Sequence, residues 1–156
     1  MKNLILIRHA QAEDALVHQK DFDRPLSNRG NAQAKSQAHH MSTIHFRTVL
    51  HSAALRTTQT AQHLLQAHTH LELISRKDMY NADLDELIQI LIENWSMDNL
   101  ILVGHNPGIS HLFEHLSGQW EPFETCTFAI LSFPENLNHI HMLRSAQVVQ
   151  IQHPEI

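Results

Sequence analysis

Leu4-Ile5-Leu6-Ile7-Arg8-His9 stands near the start of the chain, and Leu100-Ile101-Leu102-Val103-Gly104-His105 repeats its form far downstream. Each is an unbroken aliphatic run. A strand buried on one face alternates apolar and polar residues, whereas a short continuous run suits a strand covered on both faces, as in a parallel sheet flanked by helices. Both runs end in histidine. In open α/β sheets ligands bind at the carboxyl ends of the strands, so the two imidazoles are expected at one edge. A lone histidine at a strand end is more often structural; two of them on strands of the same type, one directly after an arginine, reverse that expectation.

Helical and strand-like segments alternate between and around these runs. Ser27 reads as a helix N-cap ahead of Asn31–His40, which is rich in Ala, Gln and Lys. Val49-Leu50 reads as a strand, residues 53–65 as a helix by apolar periodicity, and Leu71–Ile74 as another strand. Asp83 with Glu86 fits a capping box for a helix burying Leu84, Leu87, Ile88, Leu91 and Ile92. A helix from Ile109 to about Leu116 follows the second run. Residues 126–133 and 139–151 read as an antiparallel pair across a turn at 134–138. The expected fold is α/β, a three-layer α/β/α sandwich with a mostly parallel central sheet, in a single domain over residues 1–156.

Arg56 adds a third clue. It lies in the first turn of its helix, where the dipole disfavours a cation by about 0.3–1 kcal/mol. Free backbone N–H groups and a guanidinium at that place would jointly hold an anion; the plainer reading is an arginine reaching into solvent or pairing with a carboxylate. Arg8, Arg56, His9 and His105 together make a site for a dianionic phosphoryl group. Guanidinium forks bind its oxygens, one imidazole attacks phosphorus, and the other bonds the transferring oxygens.

Composition narrows the classes. The chain has 156 residues, a net charge of −5 with histidine neutral, fifteen histidines and one cysteine. An acidic balance argues against nucleic-acid binding, and the lone Cys126 excludes an internal disulfide framework and a cysteine zinc cluster. No apolar run approaches the roughly 20 residues a bilayer span needs. No signal-peptide anatomy precedes the first strand, so a soluble cytoplasmic protein without membrane partners is expected. The histidine surplus reads as metal chemistry or as a compositional habit. His111-Leu112-Phe113-Glu114-His115 fits an inverted-zincin pattern, but no third ligand stands out, so neither a metal nor another cofactor is expected. His39, His40, His63, His68 and His70 read as surface helix and loop residues.

These motifs resemble the histidine phosphatase superfamily, also called phosphoglycerate-mutase-like, over nearly the whole chain. Arg8-His9-Ala10 is similar to its R-H-G/A signature. Phe22-Asp23-Arg24-Pro25-Leu26-Ser27 with Arg29-Gly30 resembles the D-R-P-L-S/T segment of the small SixA-type branch. Ser52 through Leu55-Arg56-Thr57-Thr58-Gln59-Thr60-Ala61 is similar to the S-x-x-x-R-x-x-Q-T-A block, and Val103-Gly104-His105-Asn106-Pro107 to V-G-H-N-P. The resemblance implies that His9 is the nucleophile, transiently phosphorylated, with Arg8, Arg56 and His105 forming the phosphate pocket. It also implies that Thr125 lines the site and that Arg24 positions its loop or contacts substrate; for Arg24 a buried salt bridge is the slightly favoured reading.

Larger members of the superfamily carry a carboxylic acid that protonates an alkoxide leaving group. Here the corresponding stretch is Met79-Tyr80-Asn81-Ala82, with no acid before Asp83, which the capping box already explains; Glu13 and Asp14 are the other nearby carboxylates. An imidazole, with an ordinary pKa near 6.5, leaves readily once protonated, whereas an alkoxide needs a strong acid. The expected activity is therefore removal of phosphate from phosphohistidine on a protein, with phosphate or another oxyanion as pocket ligand. A phosphatase of small phosphomonoesters on the same fold is the alternative, and a metal-binding protein using His111 and His115 the remote one.

Overall fold

In the computed structural model, which describes residues 1–155, the two aliphatic runs lie side by side. They form β1 (Asn3–Arg8) and β4 (Asn99–Gly104), parallel and in register from Asn3 opposite Asn99 to Arg8 opposite Gly104. With β2 (Thr48–Ser52), β3 (Glu72–Arg76), β5 (Phe128–Ser132) and β6 (Gln147–Gln152) they build one six-stranded sheet in the order β3-β2-β4-β1-β5-β6. The first four strands in that order are mutually parallel; β5 runs antiparallel to β1, and β6 antiparallel to β5.

The unbroken runs are unbroken because both faces are covered. Ile5, Ile7, Val49, Ile101 and Val103 pack with Ala38, Ala61 and Leu64 from α1 (Asn28–His40) and α2 (Leu55–Ala67). Leu4, Leu6, Leu50, Leu100 and Leu102 face Leu87, Leu91, Leu112 and Phe113 from α3 (Leu84–Glu93) and α4 (Gly108–Ser117). The sandwich is the expected one, and burying each such side chain stabilises it by roughly 1.5–3 kcal/mol.

The helix starts follow the capping signals. Ser27 Oγ accepts from the Gly30 N–H at 2.9 Å, and Asp83 and Glu86 form the reciprocal capping box. Gly30 has a further reason to be glycine: a Cβ there would collide with the Gln11 carbonyl oxygen, so α1 can press directly on the chain leaving β1.

The last strand differs from the expected 139–151. It begins only at Gln147, and residues 139–141 form a single 3-10 turn capped by the Asn138 side chain. The intervening segment has another task. The N–H groups of Arg144 and Ala146 donate to the carbonyls of His115 and Leu116, which the end of α4 leaves without intrahelical partners, and Met142 plugs the core beside them. No helix among the described residues is long and apolar enough to cross a membrane.

Candidate active site

Strand order places the site. Because β1 and β4 are neighbours in register, the residues that follow them meet: the His9 N–H donates to the Gly104 carbonyl, and the His9 and His105 rings stand edge to face with centroids 5.2 Å apart. One phosphoryl group can therefore touch both. β2 is the next strand beyond β4, and Ser52 at its end lies 2.8 Å from His105 Nε2 through its Oγ.

The hydrogen bonds of His9 define its nitrogens. Nδ1 donates to the Ala10 carbonyl at 2.7 Å, which leaves Nε2 with its lone pair, and Nε2 accepts from Arg56 Nε at 3.3 Å. Burial, and after it the charges of Arg56, Arg8 and Arg24, lower the His9 pKa to about 4, although the Ala10 bond opposes them. His105 is lowered to about 3, by burial first and then by His9 and Arg56. Both rings are neutral at neutral pH, and the lone pair of His9 Nε2 is met by the Arg56 Nε–H.

His105 Nδ1 and Arg8 Nε are buried with no hydrogen-bond partner among the described residues. Such atoms are costly unless an acceptor serves them. Ser52 Oγ also accepts from the Ala54 N–H at 3.3 Å; with Nδ1 carrying the ring hydrogen, the Ser52 hydroxyl donates to His105 Nε2. The Arg8 fork is anchored at one end, Nη1 donating to the Phe123 carbonyl at 2.9 Å, and no carboxylate pairs with it among the described residues.

Arg56 enters from the first turn of α2, which has no acidic residue and no side-chain cap. It does not reach into solvent: it is 5% exposed and lies across the pocket. Its Nη1 donates to the Asp21 carbonyl at 2.8 Å and its Nη2 to Asp21 Oδ2 at 3.0 Å. The rest of its motif is structural. Thr60 Oγ1 accepts the Ala10 N–H and Gln59 Oε1 the Leu26 N–H, so α2 ties down the loops on both sides of the pocket.

Arg24 is salt-bridged to Asp21 at 2.9 Å, but the pair is partly exposed where a buried one was expected, and its Nε donates to the Glu13 carbonyl. Thr125 stays at the wall. Its hydroxyl bonds Gln33 Oε1 at 3.4 Å, and the neighbouring Cys126 N–H meets the carbonyls of Arg8 and His9. Asp83 is occupied by its capping box. Glu13 and Asp14 are exposed.

Two pocket residues escaped sequence reasoning. Asp21, in a 3-10 turn at residues 21–23, joins Arg24 and Arg56. Tyr80 donates its hydroxyl to Asp21 Oδ2 at 2.6 Å, packs edge-on against His105 at 5.6 Å and lies under the Arg56 guanidinium. Tyr80, with Arg24 and Arg56, holds the Asp21 carboxyl well below the usual carboxylate range against the opposing effect of burial.

The other histidines named above lie at the surface, His39, His40 and His70 exposed and His63 and His68 partly so. His63 bonds Asn31 Oδ1, and His68 and His70 bond the carbonyls of Ala38 and Thr43, so these three also fasten α2 and the loop after it to α1 and its own following loop. His111 lies near Trp120. Among the described residues no three His, Cys, Asp or Glu side chains are grouped to hold a metal ion.

The depressed His9 and His105 values make a stability prediction. In the unfolded chain both groups bind protons near 6.5, and in the folded chain only near 4 and 3. Between these limits the unfolded chain carries more protons, so stability falls as pH drops below about 6.5 and is flat above it. Urea unfolding midpoints should decline from pH 7 to about 4.5, with a shallower decline in His9→Gln. Identical slopes for the two proteins would contradict the assignment.

Among known proteins, the chain is 30% identical over 146 residues to an uncharacterised chloroplast protein of Arabidopsis thaliana, covering 83% of this chain and 66% of the relative's length. A protein described as a candidate phosphohistidine phosphatase SixA from Agrobacterium tumefaciens superposes with a TM-score of 0.85 at 25% identity, covering 98% of both chains. The protein histidine phosphatase SixA complexed with tungstate shares the fold with a TM-score of 0.74 at 20% identity, over 97% of each chain. Residues 4–93 match branch 1 of the histidine phosphatase superfamily, and the chain belongs to that family.

Proposed function

We propose that this phosphatase removes the phosphoryl group from phosphohistidine on a protein, through a covalent intermediate on His9. The observation that carries this reading is the neutral His9 Nε2, aimed at the guanidinium of Arg56 beside the unpartnered donors of Arg8 and His105. His9 Nε2 forms a bond to phosphorus as the substrate's P–N bond breaks, and the departing imidazole keeps the proton it carries in its reactive, protonated form. Water then adds its oxygen to phosphorus, the bond to His9 breaks, and phosphate leaves with His9 restored. The guanidiniums and His105 bind the equatorial oxygens, so catalysis is positioning and charge stabilisation.

The choice of phosphohistidine rests on the lack of a proton donor. Asp21 is held as an anion by three donors, Asp83 is a helix cap, and Glu13 faces solvent. A leaving alkoxide would find no acid here. The likeness to SixA proteins supports the same substrate class. The test compares kcat/KM for a phosphorylated histidine phosphotransfer domain with that for p-nitrophenyl phosphate and a panel of sugar phosphates. The phosphoprotein should lead by at least about a hundredfold, a difference of roughly 2.7 kcal/mol in transition-state binding. A sugar phosphate turned over as well as the phosphoprotein would transfer the assignment to the small-molecule class.

A further inference from the structure

Asp21 lies outside every motif that marks the pocket, yet the donors expected to bind a phosphoryl group converge on it. Oδ2 accepts from the Tyr80 hydroxyl and from Arg56 Nη2, Oδ1 accepts from Arg24 Nη1, and the backbone carbonyl accepts from Arg56 Nη1. Two guanidinium forks and a hydroxyl thus converge on one carboxylate group beside the His9–His105 pair. The Asp21 side chain is 45% exposed, so water reaches the carboxylate that these donors hold. Phe22, the middle residue of its turn, stands edge-on to Tyr80 at 5.0 Å.

Arg24 and Arg56 share one carboxylate, Arg8 pairs with none among the described residues, and the two imidazoles are neutral. The pocket therefore offers two net positive charges to an incoming dianion. With a neutral residue at position 21 it would offer three, and a phosphate bound there would be held by an unbalanced cation. An anion competing for the same N–H donors weakens product binding while keeping the donors in place, which favours turnover over tight ground-state binding.

We propose that Asp21 is a built-in counter-anion: it positions Arg24 and Arg56 as a preformed cradle and competes with the phosphoryl group for their donors, so that phosphate is released between turnovers. This rests on the reading of the site as a phosphoryl pocket. Asp21 acts through the arginines and is a positioning residue. Its removal should shift binding and turnover in opposite senses, which a loss of packing would not do.

The experiment is calorimetric titration of wild type, Asp21→Asn, Asp21→Ser and Tyr80→Phe with inorganic phosphate, alongside steady-state turnover of a phosphohistidine peptide. Both Asp21 variants should bind phosphate about tenfold more tightly, the scale of one partly screened charge at close range. Their KM and kcat should fall together as release slows. Tyr80→Phe keeps the carboxylate and frees it from one donor, so it should bind phosphate no more tightly than wild type. Phosphate affinity unchanged or weakened in both Asp21 variants, at wild-type unfolding midpoints, would overturn the proposal and leave the phosphoryl reading intact. A wild-type protein that binds no phosphate would overturn both.

Discussion

His9→Ala is expected to yield a folded protein that forms no phosphoenzyme and turns over phosphohistidine at least about a thousandfold more slowly than wild type. The assignment to His9 rather than His105 follows from what each ring nitrogen already does. His9 gives its Nδ1 hydrogen to Ala10 and keeps Nε2 as an acceptor facing Arg56. His105 has Nε2 engaged by Ser52 Oγ and Nδ1 without a partner among the described residues; the mechanism gives Nδ1 the ring hydrogen, with which it binds a phosphoryl oxygen. Removing the His9 ring breaks only the side-chain bonds to Ala10 and Arg56, and the backbone bond of His9 to Gly104 survives. Rapid quench with labelled phosphohistidine peptide, followed by peptide mapping, is the measurement. Label on His105 in the wild-type protein would exchange the two roles. Undiminished turnover by His9→Ala would remove the covalent mechanism altogether.

The ease with which β1 and β4 are read from sequence has a physical source. Strands covered on both faces bury nearly every side chain, so in β1 and β4 burial is written directly into the aliphatic run, and the break at Arg8-His9 and Gly104-His105 marks the sheet edge. Arg56 is legible for the opposite reason: a cation in the first turn of a helix works against the dipole, and a chain that keeps it there uses it for something else. Asp21 carries no such mark. An exposed-looking acid between Lys20 and Phe22 gains meaning only from partners at positions 56 and 80, brought in by α2 and by the turn after β3. Tyr80 is hidden for a similar reason: its segment carries no acid of its own, and the phenol gains its role from an acid brought in by the turn at residues 21–23. The late start of β6 is tertiary in the same way, since nothing within residues 139–146 shows that α4 ends beside them with free carbonyls.

Arg56→Lys should cost about 10²–10³-fold in kcat/KM, and Arg56→Ala at least as much, as when a preorganised donor to a transition-state oxyanion is removed. The guanidinium makes three bonds at fixed angles: to the Asp21 carbonyl, to Asp21 Oδ2, and from Nε to His9 Nε2. Its planar fork is what allows one group to brace the loop and face the nucleophile together. An ammonium is a single point with rotating donors, and it can satisfy Asp21 or His9 but cannot be held by one while addressing the other. Charge is retained in the lysine variant, so its deficit isolates geometry, and the further deficit in alanine isolates charge. Stability should move far less than activity. The lost pair leaves a half-exposed carboxylate that keeps Arg24 and Tyr80, and in the alanine variant alone the loss of a cation from the start of α2 relieves an unfavourable dipole contact of about 0.3–1 kcal/mol. Unfolding midpoints should accordingly lie close to wild type in both variants while kcat/KM collapses. A lysine variant within threefold of wild-type kcat/KM would show that the fork is not used on the phosphoryl group, and that Arg56 serves the loop at Asp21 alone.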